Sequence, residues 1–223
     1  EILNGKLKSF YKSKRIIASR GYLEVVTWSF VSSEQASLEN EKENVIIKNP
    51  ISSDLNTMRS SIFPNLLSSI NININRLYNN GKLFEVGPQY SGSKEEDQQM
   101  VASGIQYGTV HTETWGDEKR MSDVFDVKSD VYFVLDQLNV PVDKVLYEES
   151  DNNFFHPGKS ARLRIGKNIL AQFGEIHPFI LQKFEINTNV SGFEILLDQV
   201  SQFQLKISST KKAYDNNVLQ AIE

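Results

Sequence analysis

The chain has 223 residues, 39% of them hydrophobic, enough for a substantial core in one large domain or two small ones. Its 24 basic and 28 acidic residues leave a net charge of −4, which argues against a domain that wraps nucleic acid on its own. Cysteine is absent, which removes disulfides, thiol nucleophiles and thiolate metal sites together and fits a cytoplasmic protein, while no apolar run approaches the roughly 18 residues of a membrane span and no signal peptide is expected.

Residues 3–20 read as an amphipathic helix in which Leu3, Leu7, Phe10 and Ile17 recur near helical spacing, with Gly21 as its stop. Lys6, Lys8, Lys12, Lys14, Arg15 and Arg20 make its remaining surface basic. That surface is either solvated or faces an acidic partner or RNA. Residues 22–31, rich in β-branched and aromatic side chains, read as a strand. Ser32 or Ser33 is placed to cap a short helix reaching about Leu38. A charged loop over 39–44 leads to a short strand at 45–47, ended by Asn49-Pro50. Ile62, Leu66, Ile70, Ile74 and Leu77 then line one face of a helix of more than four turns, closed by Asn79-Asn80-Gly81.

Residues 83–90 and 99–107 read as two antiparallel strands joined by a polar loop. A helix over 123–139 places Val127, Val131, Val134, Leu135 and Leu138 on a buried side. Burying each contributes about 1.5–3 kcal/mol. Pro141 bars its continuation. Residues 161–165 and 168–174 form a hairpin around Gly166-Lys167, followed by a short helix at 178–184 and a strand at 193–197. A domain over 1–207 and a polar linker over 208–223, leading towards a further domain, are the expected organisation. Strands and helices mix without regular βαβ alternation, which favours an α+β fold with a mainly antiparallel sheet. A Rossmann domain is disfavoured, since its Gly-rich turn is missing.

Few residues invite chemistry. The three histidines, His111, His156 and His177, have no metal-ligand spacing, and His156-Pro157-Gly158 and His177-Pro178 read as turns. No serine sits in a Gly-x-Ser-x-Gly elbow, and spacing singles out no pair of carboxylates. Asp54 and Arg59 are read structurally. Asp54 satisfies the loop after Asn49-Pro50, and Arg59 pins the start of the next helix.

Several blocks occur in a fixed order: Arg20-Gly21-Tyr22-x-Glu24-Val25-Val26-Thr27-x-Ser29-Phe30, Asn49-Pro50-Ile51-Ser52, Met58-Arg59-Ser60-Ser61, Pro64-x-Leu66-Leu67 and Leu83-Phe84-Glu85-Val86-Gly87. Phe125-Asp126-Val127-Lys128, His156-Pro157-Gly158-Lys159-Ser160-Ala161 and Phe173-Gly174-Glu175-Ile176-His177-Pro178 follow. Together they resemble the catalytic-like domain of the phenylalanyl-tRNA synthetase β subunit, over residues 1 to about 200; Asn65 stands where the pattern leads one to expect glycine.

The resemblance implies an α+β fold, a class II aminoacyl-tRNA synthetase-like antiparallel sheet flanked by helices. It also implies a scaffold packed on a catalytic α subunit, in an assembly of two α and two β subunits that uses ATP and magnesium and acts on tRNA. Leu3, Leu7, Phe10 and Ile17 are the expected partner interface. Asn49, Pro50, Asp54, Arg59, His156, Pro157 and Gly158 are expected to be structural, and direct tRNA contact through Lys8, Lys12 and Lys14 stays open.

A class II site stabilises negative charge on phosphate with arginines from two motifs, a strand pair and a later strand–helix. By this resemblance residues 83–107 hold the first motif and 193–198 the second, yet no arginine lies between Arg76 and Arg120 or after Arg164. No catalytic, cofactor or metal residue is therefore expected in this segment. The alternative is an autonomous ATP-dependent amino-acid-activating ligase with cations of another origin.

Overall fold

The computed structural model describes residues 5–38, 44–110 and 120–208. Helix α1 (Gly5–Ser19) ends at Gly21, whose φ of +84° suits glycine, and leads to β1 (Leu23–Glu24). Next come β2 (Phe30–Val31), α2 (Ser33–Ala36, capped by the Ser32 hydroxyl), β3 (Thr57–Met58) and α3 (Phe63–Asn75). Two long strands follow, β4 (Gly81–Tyr90) and β5 (Gln98–Tyr107), then α4 (Val124–Gln137). The rest is β6 (Leu146–Glu148), β7 (Phe155–Ile165), β8 (Asn168–Ile176), α5 (Pro178–Lys183), β9 (Val190–Leu196) and α6 (Leu197–Ser208).

Seven strands form one sheet in the order β1-β4-β5-β9-β8-β7-β6, and β2 pairs with β3 apart from it. Every pairing in the large sheet is antiparallel except the short β1–β4 contact. Because successive side chains of a strand point to opposite faces, each strand feeds two cores. Phe84, Ala102, Phe193 and Phe173 face a dry layer closed by α1, α4 and α6. Leu83, Val101, Ile105 and Val190 face the opposite layer, which α3 and α5 cover. A side chain on Gly104 would run into the Phe193 ring, so the bare glycine lets that ring lie flat on β5.

Several expectations change. Residues 22–31 do not form one strand: β1 joins the large sheet and β2 the small one, with irregular backbone between. Residues 45–47 contribute a single bridge, Ile46 to Thr57, rather than a strand. Leu77 does not join the buried face of α3; it adopts φ +68° beyond the helix end and is 84% exposed. The helix stops there because the Tyr78 amide turns back to the Asn73 carbonyl at 3.0 Å. Of the stripe expected on α1, Ile17 is buried and Phe10 half-buried while Leu7 is exposed; the fully buried line runs through Ser9, Ser13 and Ile17, four residues apart. The periodicity also overlooked α6, which continues directly from β9. Leu3, His111, most of the charged loop over 39–44 and nearly all of the expected linker lie outside the described residues.

Candidate functional site

The motif residues meet first around Arg59. Its side chain is 1% exposed and crosses β4, where Nη1 donates to Glu85 Oε1 at 2.8 Å and to the Thr27 hydroxyl at 3.0 Å. Nε donates to the Pro88 carbonyl at 3.0 Å, and Thr27 in turn donates to Glu85 Oε2 at 2.6 Å. The space for this guanidinium is the missing side chain of Gly87, where a Cβ would lie 2.6 Å from Nη2. Three sequence blocks thus converge on one buried ion pair, with Thr27 and the Pro88 carbonyl taking further hydrogen bonds. The roles read from sequence, Asp54 satisfying the loop and Arg59 pinning the start of α3, differ from those observed. Asp54 is exposed in a 3₁₀ turn (Ser53–Leu55), where among the described residues it receives the Ser53 hydroxyl alone, at 3.3 Å. The start of α3 is served by Ser61, whose hydroxyl accepts the Phe63 amide at 3.2 Å. Asn49 and Pro50 lie exposed in the preceding bend.

Two further basic groups are committed elsewhere. Asp130 on α4, 1% exposed, accepts from Arg20 at 2.6 Å, the Tyr22 hydroxyl at 3.0 Å and Lys82 at 3.2 Å. Burial, then the Asp130 carboxylate, pushes the Tyr22 hydroxyl well above its ordinary pKa. The cluster ties the end of α1 to the sheet and to α4.

Away from α3 the second sheet face becomes polar. The register aligns Glu85 with Ser103, Ser103 with Glu194, Glu194 with Gln172, Gln172 with Arg162, and Arg162 with Glu148. Glu194, 3% exposed, accepts an amide N–H from Gln89 and another from Gln172, the latter at 2.7 Å. Burial holds its carboxyl above the usual carboxylate range, and the two amides oppose that rise in part. These residues floor a cavity of about 350 Å³. The charged side chains around it are Asp97, Asp151, Glu194 and Arg162, and the Arg162 guanidinium is paired with Asp151.

This cavity lies over one face of β4, β5, β9, β8 and β7, and so includes the strands to which the resemblance assigned the two class II motifs. Its described lining offers three carboxylates and one neutralised guanidinium, so a nucleoside triphosphate would meet repulsion and no fixed cation. The residues present do not fit ATP. Among the described residues, no three His, Cys, Asp or Glu side chains gather as a metal site, and no helix is long and apolar enough to cross a membrane.

The two His-Pro pairs serve as scaffolding. His156, Pro157 and Gly158 are not a free turn but an irregular stretch inside β7, where the Gly158 amide donates to His156 Nδ1 at 3.1 Å. His177 caps α5 in the same manner, accepting the Phe179 amide on Nδ1 at 3.1 Å. The two rings stack at 6.0 Å.

Of the expected interface residues, Ile17 is fully buried in the domain's own core and is unable to reach a partner. Phe10 packs half-buried against that core, whereas Leu7 is 40% exposed. Sequence reasoning missed other exposed apolar groups: Tyr11, one turn beyond Leu7 on α1, and Leu23, Val26 and Trp28 in the segment after the helix. The signal was present in the i, i+4 spacing of Leu7 and Tyr11.

Comparison with known proteins gives a consistent picture. Residues 3–197 match the family described as the phenylalanyl tRNA synthetase beta chain CLM domain. The phenylalanine–tRNA ligase beta subunit of Rhodospirillum rubrum is 38% identical over 186 residues, which are 83% of this chain and 23% of that protein. The beta subunit of Brucella abortus is 34% identical over 217 residues, 95% of this chain and 27% of that one. The chain thus spans about a quarter of the length of the curated relatives it matches. A pyrrolysyl-tRNA synthetase of Desulfitobacterium hafniense superposes with a TM-score of 0.66 at 16% identity, covering 93% of this chain and 73% of that one, a likeness of fold.

Proposed function

The chain belongs to the family of phenylalanyl-tRNA synthetase β chain CLM domains, and from that premise we propose that it is a non-catalytic scaffold of a phenylalanine–tRNA ligase, packed against the catalytic α subunit. The observation that carries this reading is the inverted chemistry of the sheet cavity, where acceptors and carboxylates stand in place of phosphate-binding arginines. ATP and magnesium then act at the α subunit, in an assembly of two α and two β subunits in the cytoplasm. Transfer RNA is engaged by the holoenzyme. Direct contact through Lys8, Lys12 and Lys14 is a separate matter, decided by whether their replacement with glutamate alters tRNA affinity and its salt slope.

The docking surface is the outward side of α1, carried by Leu7 and Tyr11. An obligate interface of this kind buries on the order of 2,000 Å² or more. Co-expression with the matching α subunit, followed by size-exclusion chromatography at micromolar concentration, tests the reading. Co-elution together with absence of pyrophosphate exchange by the isolated chain is expected. Separate elution sinks the scaffold role, and exchange by the chain alone revives an autonomous ligase.

A further inference from the structure

The connection between α3 and β4 carries a reactive pair that neither core accounts for. Asn80 is exposed and stands directly before Gly81, the first residue of β4. The side-chain amide carbon of an asparagine lies within reach of the next residue's backbone nitrogen, and glycine offers that nitrogen without a Cβ to shield it. Asn79 is also exposed but precedes Asn80, whose side chain does shield the nitrogen. Two neighbouring asparagines thus stand side by side, and only the second has a bare nucleophile after it.

The fold restrains this side chain without burying it. Asn80 Nδ2 donates to Thr109 Oγ1 at 2.9 Å, and Thr109 is held in turn by its antiparallel bridge to Met121. One exposed hydrogen bond slows the departure of that nitrogen by a few-fold and does not forbid it. The backbone here is tight. Gly108, at φ +73°, lies so close that a side chain on it would run into the Asn79 carbonyl and Asn80.

We propose that Asn80 is a site of spontaneous deamidation through a succinimide, restrained by Thr109. The Gly81 nitrogen attacks Asn80 Cγ and the N–Cγ bond forms. The Cγ–Nδ2 bond breaks, and Nδ2 leaves as ammonia, taking up the Gly81 amide proton. Water then opens the imide on one side or the other, giving aspartate or isoaspartate; nothing is oxidised or reduced. Aspartate keeps its bond to Thr109, whose hydroxyl turns from acceptor to donor. Isoaspartate lengthens the main chain by one carbon, where residues 79–80 press on Gly108 and Gly81 enters register with Tyr107. The isoaspartyl form therefore loosens the entry to β4. The site goes beyond the scaffold role and stands or falls apart from it.

Incubation of the intact chain under mildly alkaline conditions tests this, followed by mass-spectrometric mapping of the tryptic peptide 77–82, which Arg76 and Lys82 delimit. Conversion at Asn80 is expected to run at least about tenfold faster than at Asn79. Its isoaspartyl share is counted by labelling with an isoaspartyl methyltransferase, and limited proteolysis should deplete that share first. Gly81→Ala should slow conversion about fivefold or more, and Thr109→Val should speed it about threefold. Equal conversion at Asn79 and Asn80 overturns the proposal. So does an Asn80 that stays intact in the folded chain while the chain unfolded in guanidinium chloride converts. An unchanged rate in Thr109→Val overturns the restraint. If Gly81→Ala fails to fold, the comparison of Asn79 with Asn80 decides.

Discussion

The two faces of the large sheet obey different rules. One is a continuous dry layer in which Phe84, Ala102, Phe193 and Phe173 meet α1, α4 and α6. The other is apolar only beneath α3 and α5, and then gives way to buried ions and amides from Glu85 to Arg162. The polarity of the second face is met from within the protein: Arg59 pairs with Glu85, Arg162 with Asp151, and Glu194 accepts from the Gln89 and Gln172 amides. The faces therefore differ in the kind of contact that holds them, hydrocarbon packing on one and paired polar groups on the other.

Four measurements press on that contrast. The largest effects should come from the strongest feature of each face. Phe193→Ala opens a void in the dry layer and should cost about 3–5 kcal/mol by urea unfolding. Arg59→Met should cost a similar amount, about 3–5 kcal/mol, for another reason: Glu85, 4% exposed, is left charged without its partner. Adding Glu85→Gln to that variant should recover part of the loss, whereas no second polar change should rescue Phe193→Ala. If Arg59→Met proves neutral, the ion pair is dispensable and the contrast between the faces weakens.

A smaller effect concerns pH. Burial raises the Glu194 pKa, so the folded chain holds that proton more tightly than the unfolded chain does. Its ionisation therefore opposes folding. The penalty is absent below the unfolded value of about 4.3 and grows as pH rises from there through the folded value. Glu194→Gln should flatten this contribution to stability above the unfolded value of about 4.3, and an unchanged profile would show that the carboxyl ionises without strain. The smallest effect on stability belongs outside both faces. Leu7→Ser combined with Tyr11→Ser should change unfolding by no more than about 0.5 kcal/mol, yet break co-elution with the α subunit.

The sequence made much of this arrangement legible. The strands β4, β5, β7 and β8 lie where the sequence reading puts them, and the helical spacing of large apolar side chains marks α3 and α4. Where small or polar residues do the packing, the signal failed. Ser9 and Ser13 are 3% and 0% exposed because small side chains let α1 approach α6 closely, which hydropathy scores as a solvated face. Helix α6 was missed because Asp198, Gln199, Ser201 and Gln202 dilute its apolar stripe. At the site, the missing arginines were visible in the sequence, but the partner of Arg59 was not. Asp54 is five positions away, and Glu85 lies on a strand that arrives beside Arg59 only when the sheet forms.

The rank of Glu85, Ser103, Glu194, Gln172, Arg162 and Glu148 also bears on how the sheet assembles. A strand that slides by one residue turns over every side chain it carries. Slippage of β9 would exchange Glu194 with Phe193, driving a carboxylate into hydrocarbon and a phenyl ring into the polar cavity. The same holds for Gln172 and Phe173 on β8. The rank works as a key cut for one alignment, since a slipped strand loses its polar partners and its core side chains together.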